Sequence, residues 1–302
     1  MHATVLKYFT EVARCGSVRR AAENLFVASS AVNRQILKLE QELGTELFDR
    51  VPTGMRLNQA GERLLSHVRA TLHDFHLMRS ELDALRGERT GHITLVAMDS
   101  LFLDFLPRAV EDFSESFPAV TYSLITSAPS EVPEKVASGE FDIGISFIAK
   151  VPAGLKVAVQ AAFPPGVVMA SSNALCQRSA LSFADCRTQP FLRTPGRSPL
   201  HSVTSRAFAD FWESVEPAID CNSTPMLKRM VASGRGISFF SRLAFLEEIE
   251  RGEIVWRPFT DPAINRLKAG IVIPAQRALP PMTSLFLERI VRRFKQIEAA
   301  IA

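Results

Sequence analysis

Apolar side chains recur every three or four positions along the first 43 residues, which is the spacing of one buried helix face. Gly16 and the short corner at residues 26–28 interrupt the pattern, and Ser17 is a favourable helix cap. The pattern predicts three helices, the first over residues 2–15, and the second and third joined as a helix-turn-helix. The apolar positions are Val5, Leu6, Phe9, Val12, Ala13, Ala21, Ala22, Leu25, Val32, Ile36 and Leu39.

The third predicted helix carries short polar and cationic side chains on the face away from its apolar positions. These residues are Ser29, Ser30, Asn33, Arg34, Gln35 and Lys38, and no acidic residue precedes Glu40. Asn and Gln side chains pair with adenine edges in the major groove, and Arg pairs with guanine or with phosphate. The sequence therefore predicts a recognition helix for double-stranded DNA.

Two short strands, predicted at residues 46–48 and 55–57, surround a turn at 52–54 and form a wing. Arg50 and Arg56 flank this turn, where we expect them to reach phosphate or the adjacent minor groove. The alternative is a pair of solvated arginines with no contact to DNA, and the sequence leaves both open.

Residues 60–86 form one helical pattern without proline, about 40 Å long at 1.5 Å per residue. Its apolar stripe has the alternating spacing of a coiled coil, interrupted by Arg79, with Met78 and Leu85 beside it. The stripe consists of Leu65, Val68, Leu72, Phe75 and Leu82. Because one exposed helix cannot bury such a stripe, it must pack on the preceding domain or on a second chain. Polar and glycine residues at 86–91 then indicate a hinge.

From residue 92 onwards, predicted strands alternate with predicted helices, which is typical of parallel sheets built from βαβ units. The predicted strands are 92–98, 120–126, 141–147, 167–170, 190–193, 219–221, 237–240 and 268–273, with helices at 105–117, 131–138 and 282–301. Residues 163–166, Phe-Pro-Pro-Gly, indicate a crossing between two α/β lobes. Asp142, at the entry to its strand, is interpreted as structural, capping nearby backbone donors.

Ligands of open α/β sheets bind outside the carboxyl ends of strands, where helix N-termini offer free N–H groups. Residues at such places are Ser100, Leu101, Phe102, Ser127, Ser146, Phe147, Thr194, Ser223 and Thr224. We expect a pocket for a small, carboxylate-bearing molecule, with Ser100 and Ser146 as leading polar contacts and Phe102 and Phe147 as its apolar wall. The alternative is that these hydroxyls are ordinary helix caps. We expect three further residues near the rim of this pocket, namely Arg193, Arg197 and His201. They could attract an anionic ligand, or they could be solvated charges without a role in binding.

Composition adds little to the predicted fold, but together with the absence of known motifs it argues against several classes of protein. The 302 residues carry a net charge of +3 with 47% hydrophobic residues, which is ordinary for a soluble globular protein. No apolar run could span a bilayer and no signal peptide precedes the first helix, so we expect a cytoplasmic protein without membrane contact. The chain has no G-x-S-x-G, P-loop, H-E-x-x-H or G-x-G-x-x-G motif, and no His or Cys set typical of zinc. His73 and His76 are interpreted as exposed helix residues. An enzyme, a cofactor and a metal are therefore not expected.

The chain resembles the LysR-type transcriptional regulators over its entire length. The residues that carry the resemblance are Gly16-Ser17, Ala21-Ala22, Leu25, Ala31-Val32, Arg34-Gln35-Ile36, Leu39-Glu40, Leu43-Gly44, Leu47-Phe48, Arg50, Leu57 and Ala60-Gly61. The family's usual Ser-Gln-Pro-Ala-Val-Ser is altered here, because Ala28, Ser29, Ser30 and Asn33 stand in four of its places. We expect Ser29 to replace Ala28 as the helix cap, and the family's DNA sequence preference does not transfer.

The resemblance implies an α+β fold with three parts. These are a winged helix-turn-helix at 1–59, a linker and dimerisation helix with hinge at 60–90, and a C-terminal two-lobed α/β effector domain at 91–302. The effector domain would be similar to periplasmic solute-binding proteins, with one lobe at 91–162 plus 268–302 and the other at 163–267. The implied partners are operator or promoter DNA, a small-molecule effector and further copies in a homodimer or homotetramer, with RNA polymerase as a candidate.

Two alternatives remain open from the sequence. In the first, the chain binds DNA and the C-terminal lobes serve only for oligomerisation, without an effector. In the second, Cys176 and Cys186 form a redox switch, because some relatives sense peroxide with two cysteines of similar separation. The four cysteines, Cys15, Cys176, Cys186 and Cys221, are otherwise expected to be free thiols.

Overall fold

The computed structural model describes residues 2–52, 54–86, 89–148, 151–195 and 205–301. The chain divides into two compact units, Met1–Arg79 and Ser80–Ala302. No helix in the described ranges is both long and apolar enough to cross a membrane. The same ranges contain no cluster of three or more His, Cys, Asp or Glu side chains suited to a metal ion.

The N-terminal unit is a three-helix arrangement followed by a β-hairpin and the start of a long helix. Its elements are α1 (His2–Cys15), α2 (Val18–Leu25), α3 (Ser29–Leu43), β1 (Phe48–Val51), β2 (Gly54–Leu57) and α4 (Gln59–Leu85). β1 and β2 pair antiparallel, with Asp49 opposite Arg56. The predicted helix-turn-helix and wing are therefore present, although the first wing strand begins two residues later than expected.

Helix ends in this unit follow local hydrogen-bonding rules with one exception. The Ser17 hydroxyl accepts the Arg20 backbone N–H and caps α2, as predicted. The residue before α3 is Ala28, which offers no side-chain acceptor. The expectation that Ser29 replaces this cap is wrong, because Ser29 is already the first helical residue. The N-terminus of α3 therefore lacks a side-chain cap.

The apolar stripe of α4 is divided between two environments. Leu65 and Val68 are buried in the core of the N-terminal unit, with 7% and 1% exposure, and Leu72 packs against that core. Their assignment to dimerisation is therefore wrong for Leu65 and Val68, because the chain's own core already covers them. Phe75 and Leu82 are about half exposed, at 55% and 48%. Of the stripe residues, Phe75 and Leu82 are therefore exposed enough to contact a partner.

The first lobe of the C-terminal unit is built on a five-stranded mixed sheet with strand order β4-β3-β5-β12-β6. The strands are β3 (Gly91–Ala97), β4 (Val120–Thr126), β5 (Ile143–Phe147), β6 (Leu155–Ala161) and β12 (Ala269–Pro274). β3 is parallel to β4 and β5, whereas β12 is antiparallel to β5 and β6. The helices are α5 (Phe105–Ser116), α6 (Val132–Ala137) and α12 (Pro281–Ile301). α5 and α12 pack on one face of the sheet and α6 on the other.

The second lobe is built on a three-stranded antiparallel sheet and a short parallel pair. The sheet contains β7 (Pro165–Ala170), β10 (Ser238–Ser241) and β11 (Ile254–Arg257), in the order β10-β7-β11. The pair is β8 (Leu192–Arg193) and β9 (Ile219–Asp220). The helices are α7 (Phe183–Cys186), α8 (Arg206–Ser214), α9 (Thr224–Ala232), α10 (Leu246–Glu250) and α11 (Pro262–Asn265). A phenylalanine-rich core lies on one face of β7, and α9 and α10 cover the other face.

Two sequence-based expectations for this unit are wrong, and two of its strands were missed. The second lobe is largely antiparallel, because strand direction depends on where the chain re-enters the sheet, which the order of helices and strands does not encode. β6 and β11 were not predicted. Residues 165 and 166 belong to β7 and not to a crossing. A side chain at Gly166 would collide with Trp256, since a Cβ there would lie 2.4 Å from the indole Cε2.

The interpretation of Asp142 as structural agrees with its contacts. Its carboxylate accepts hydrogen bonds from the Thr94 hydroxyl and the Arg277 guanidinium, each at 2.7 Å. The Asp142 carboxylate is nearly buried, so this pair links two parts of the first lobe.

Candidate functional site

The outward face of α3 is polar, as the sequence predicts. The inner positions Val32, Ile36 and Leu39 are buried. At about 100° per residue, the direction opposite to them is occupied by Ser30, Arg34, Leu37 and Gln41, all exposed. Of the other predicted DNA contacts, Ser29 and Lys38 are exposed, whereas Asn33 and Gln35 are half-buried at the flanks. Leu37 and Gln41 were not among the predicted contacts.

The cations of this unit differ in how far they are neutralised. Lys38 lies 3.7 Å from Glu42, and the wing residue Arg56 lies 3.5 Å from Asp49 across the hairpin. Both pairs are exposed, so their net contribution is small and a phosphate could replace the carboxylate. Arg34 and Arg50 make no ion pair with any described residue. These two arginines are the better candidates for contact with nucleic acid.

Electrostatics also orient the two helices behind this face. The Glu11 carboxylate of α1 accepts hydrogen bonds from Arg14 and from the Asn24 amide of α2. The Arg14 guanidinium is the largest cause of a lowered pKa of about 2 for Glu11. Glu11 is therefore ionised at neutral pH and ties α1 to α2.

A cleft of about 550 Å³ lies between the two lobes of the C-terminal unit, which is a size suited to a small ligand. Both lobes contribute to its wall. The lining residues are Met98, Asp99, Ser100, Thr126, Ser127, Ala128, Pro129, Phe147, Pro165, Phe191, Arg193, Thr194, Pro195, Trp212, Asn222, Thr224, Ser238, Phe239, Phe240 and Ser241.

Five of the nine predicted contact residues line this cleft, namely Ser100, Ser127, Phe147, Thr194 and Thr224. Thr224 is the first residue of α9 and is 3% exposed. The described part of the chain provides no hydrogen-bond partner for the side chains of Ser100, Thr194 or Thr224. These three hydroxyls are therefore available to a ligand or to water.

The other four predicted contacts do not line the cleft. Leu101 is fully buried in the first-lobe core, and Phe102 packs against that core. The Ser146 hydroxyl, 1% exposed, donates to the Pro129 carbonyl oxygen at 2.8 Å, while the adjacent Phe147 faces the cleft because side chains alternate along a strand.

Ser223 is likewise excluded, because its hydroxyl accepts the Met226 backbone N–H and caps α9. The helix-cap alternative is therefore correct for this residue.

Arg193 is the cationic side chain among the residues that line the cleft. Its guanidinium donates to Asp220 at 2.9 and 3.0 Å and lies 5.2 Å from the centre of the Trp212 ring. An anion would therefore share Arg193 with Asp220. Asp99 is the acidic residue of the wall, and Ser127 donates to Glu131 at 2.7 Å beside it. The positive side of the cleft is thus the second-lobe side, near Arg193 and the N-terminus of α9. Arg197 and His201, predicted near this rim, lie outside the described residues.

Several lining residues were not predicted. Trp212 comes from α8, and Phe239 and Phe240 come from β10, where they lie between the buried Ser238 and Ser241. The run Ser-Phe-Phe-Ser at residues 238–241 is a weak sequence signal. It could not place β10 at the cleft, because that position follows from pairing between Ser241 and Pro165.

The cysteines do not form a reactive pair. Cys186 is fully buried, and burial raises the pKa of its thiol to about 12. Burial also raises the pKa of Cys176, whose thiol donates to the Ala170 carbonyl oxygen. Because the thiolate is the form that reacts, these surroundings oppose a redox switch through Cys176 and Cys186.

A winged helix-turn-helix unit followed by a two-lobed unit with a cleft of ligand size defines a class of ligand-binding DNA regulators. The comparisons with known proteins agree. Residues 4–62 match the bacterial regulatory helix-turn-helix protein, lysR family, and residues 86–295 match the LysR substrate binding domain. The chain belongs to the LysR family of transcriptional regulators, and it is accordingly a DNA-binding regulator and not an enzyme.

Individual relatives are distant. The HTH-type transcriptional regulator CbbR of Rhodospirillum rubrum is 29% identical over 84% of this chain and 84% of its own length. A full-length OxyR variant from Pseudomonas aeruginosa has a TM-score of 0.64 at 20% identity, covering 95% of this chain and 97% of that chain. Full-length CbnR in complex with its target DNA has a TM-score of 0.56 at 23% identity, with 97% and 99% coverage. These structures share the fold.

Proposed function

We propose that this regulator inserts α3 into the major groove and changes its action when a small carboxylate-bearing molecule occupies the cleft. Ser29, Ser30, Asn33 and Arg34 would face the bases, with Gln35 and Lys38 at the edge of the groove. Arg50 and Arg56 would hold the phosphate backbone from the wing. The polar residues on the outward face of α3 support this half of the proposal, as do Arg34 of α3 and Arg50 of the wing, which make no ion pair with any described residue.

One observation carries the ligand half of the proposal: Thr224, at the first position of α9, lines the cleft, and its hydroxyl has no hydrogen-bond partner among the described residues. The N-terminus of the nine-residue helix α9 also places a partial positive charge there, although Pro225 has no N–H and the Met226 N–H donates to the Ser223 hydroxyl. Arg193 stands on the same side of the cleft. Together these groups favour a carboxylate over a neutral or cationic ligand.

The assembly is part of the proposal. Two chains would pair through the exposed part of α4 and place two recognition helices about one helical turn of DNA apart, or a multiple of it. Closure of the cleft around a ligand would favour one arrangement of the oligomer over another. We also keep three predictions from the sequence: that two dimers form a tetramer, that the regulator contacts RNA polymerase, and that it acts in the cytoplasm.

The test is titration calorimetry of the full-length protein with a panel of small mono- and dicarboxylates, each compared with its amide. We expect at least one carboxylate to bind while its amide does not. Thr224→Val should weaken that binding about tenfold, the loss of one hydrogen bond of roughly 1.4 kcal/mol.

Ser146→Ala is the matched control, because its hydroxyl is used within the protein and does not line the cleft. The Ser146→Ala variant should bind the carboxylate with the same affinity as the wild type. Equal binding of acids and amides, or an unchanged affinity of Thr224→Val, would contradict the proposed ligand class. Absence of binding by every compound would instead support a purely oligomeric role of the lobes.

A further inference from the structure

Leu37 occupies an unusual place on the recognition helix. It lies on the outward face of α3, about one turn after Arg34 and one turn before Gln41, and 47% of its surface is exposed. The buried residues of α3 point in the opposite direction. Leu37 is not part of the core cluster of this unit, and it is an apolar side chain on an otherwise polar surface.

The spacing of this face suggests what Leu37 contacts. In a homeodomain, the recognition helix reads the major groove with four positions separated by three, one and three residues. Ser30, Asn33, Arg34 and Leu37 have the same separations. Leu37 would thus be the fourth of four residues on α3 that contact bases in the same major groove. At 1.5 Å per residue, it lies about 10 Å along the helix from Ser30, roughly three base pairs.

Because leucine is apolar, only one of the four bases offers it a suitable contact in the major groove. Leucine neither donates nor accepts hydrogen bonds, so packing it on a polar base edge would leave donors or acceptors without water or partner. The major groove offers one apolar group, the C5-methyl of thymine. We propose that Leu37 packs against the C5-methyl of a thymine in the operator half-site and selects a T·A pair at that position.

This inference rests on the proposed insertion of α3 into the major groove, and the experiment separates the two. Footprinting on the upstream DNA of the protein's own gene defines the half-site. Each thymine in it is then replaced singly by deoxyuridine, which lacks only the methyl group. Affinities of the wild type and of Leu37→Ala are measured for every duplex by fluorescence anisotropy at one fixed salt concentration.

We expect one thymine-to-uracil change to weaken wild-type binding about fourfold, the value of one buried methyl group. The same change should leave the affinity of Leu37→Ala unaltered, and Leu37→Ala should already be weakened on the unmodified duplex. The melting temperature of Leu37→Ala should match that of the wild type, since the side chain is outside the core.

Arg34→Ala is the control for the groove itself. If Arg34→Ala loses operator affinity but every uracil substitution acts equally on wild type and Leu37→Ala, the role of Leu37 is refuted while the proposed face stands. If Arg34→Ala and Leu37→Ala both bind as tightly as the wild type, the proposed face is refuted together with the inference.

Discussion

Phe26, at the corner between α2 and α3, has a backbone conformation that its side chain disfavours. Among the residues that the structure describes, Phe26 is the one non-glycine residue with a positive φ, at φ 55° and ψ 44°. The residue is 94% exposed. Its backbone N–H caps α2 by donating to the carbonyl oxygens of Ala22 and Glu23. For residues other than Gly, Asn and Asp the left-handed region costs roughly 1–2 kcal/mol. The sharp corner therefore fixes a strained residue whose ring adds no core packing.

We predict that Phe26→Asn stabilises the helix-turn-helix by about 1 kcal/mol, because asparagine adopts the left-handed conformation readily. Amide hydrogen exchange of α2 and α3 in the full-length chain measures the effect as slower exchange. Phe26→Ala is the matched control, since it removes the ring but keeps the Cβ strain. Equal exchange rates in the two variants would show that the backbone of Phe26 is not strained.

At the scale of elements, α4 combines two apolar stripes that meet near Phe75. The first stripe, which includes Leu65 and Val68, completes the core of the N-terminal unit. The second consists of half-exposed or exposed residues with separations of three, four and three, namely Phe75, Met78, Leu82 and Leu85. Met78 and Leu85, placed beside the seam by the sequence pattern, belong to this second stripe. It avoids the interruption by Arg79, so it is the better candidate for pairing between chains.

We predict that Leu82→Glu shifts the protein from dimer to monomer, because it places a charge in an apolar seam between two helices. Sedimentation velocity over a range of protein concentrations measures the shift. Glu81→Ala is the control on the same turn and should remain dimeric, since its side chain is exposed. A dimer of unchanged affinity in Leu82→Glu would assign oligomerisation to another surface.

At the scale of the whole molecule, we consider the charged cluster that joins the lobes of the C-terminal unit. The Lys228 ammonium of α9 lies 3.2 Å from Asp104, which precedes α5 in the first lobe, and 2.9 Å from Glu248 of α10. The contact with Glu248 Oε2 is an ion pair without hydrogen-bond geometry. All three side chains are at most 14% exposed. Because α9 begins at Thr224 in the cleft, the same helix contacts the ligand space and this cluster.

We predict that Lys228→Met lowers the stability of the C-terminal unit by about 3–5 kcal/mol, because it leaves two buried carboxylates without their cation. Differential scanning calorimetry of the full-length protein measures the loss. Arg108→Met is the comparison, since its pair with Glu250 at 3.7 Å is more exposed, at 35% and 67%, and should contribute less than about 1 kcal/mol. If both variants melt alike, the cluster does not hold the lobes together.

Parts of the candidate sites were predictable to different degrees. Ser17 capping, the exposed Arg34 and the buried face of Val32 and Ile36 follow from spacing within one helix, so the sequence was sufficient. For the cleft, sequence position at strand ends correctly suggested Ser100 and Thr224 but wrongly suggested Ser146 and Leu101. Neighbouring residues at a strand end point in opposite directions, and only strand pairing decides which of them faces the cleft.

The sequence by itself determined what depends on short-range periodicity and local hydrogen bonding. This includes the helix-turn-helix, the long helix α4, the alternation of strands and helices after residue 91, and the membership of the LysR family. Tertiary structure decided what depends on contacts between distant segments. It buried the first stripe of α4, made the second lobe antiparallel, and brought Thr224, Arg193 and β10 together around one cleft. Such contacts join residues far apart in the chain, and no local pattern records which of them meet.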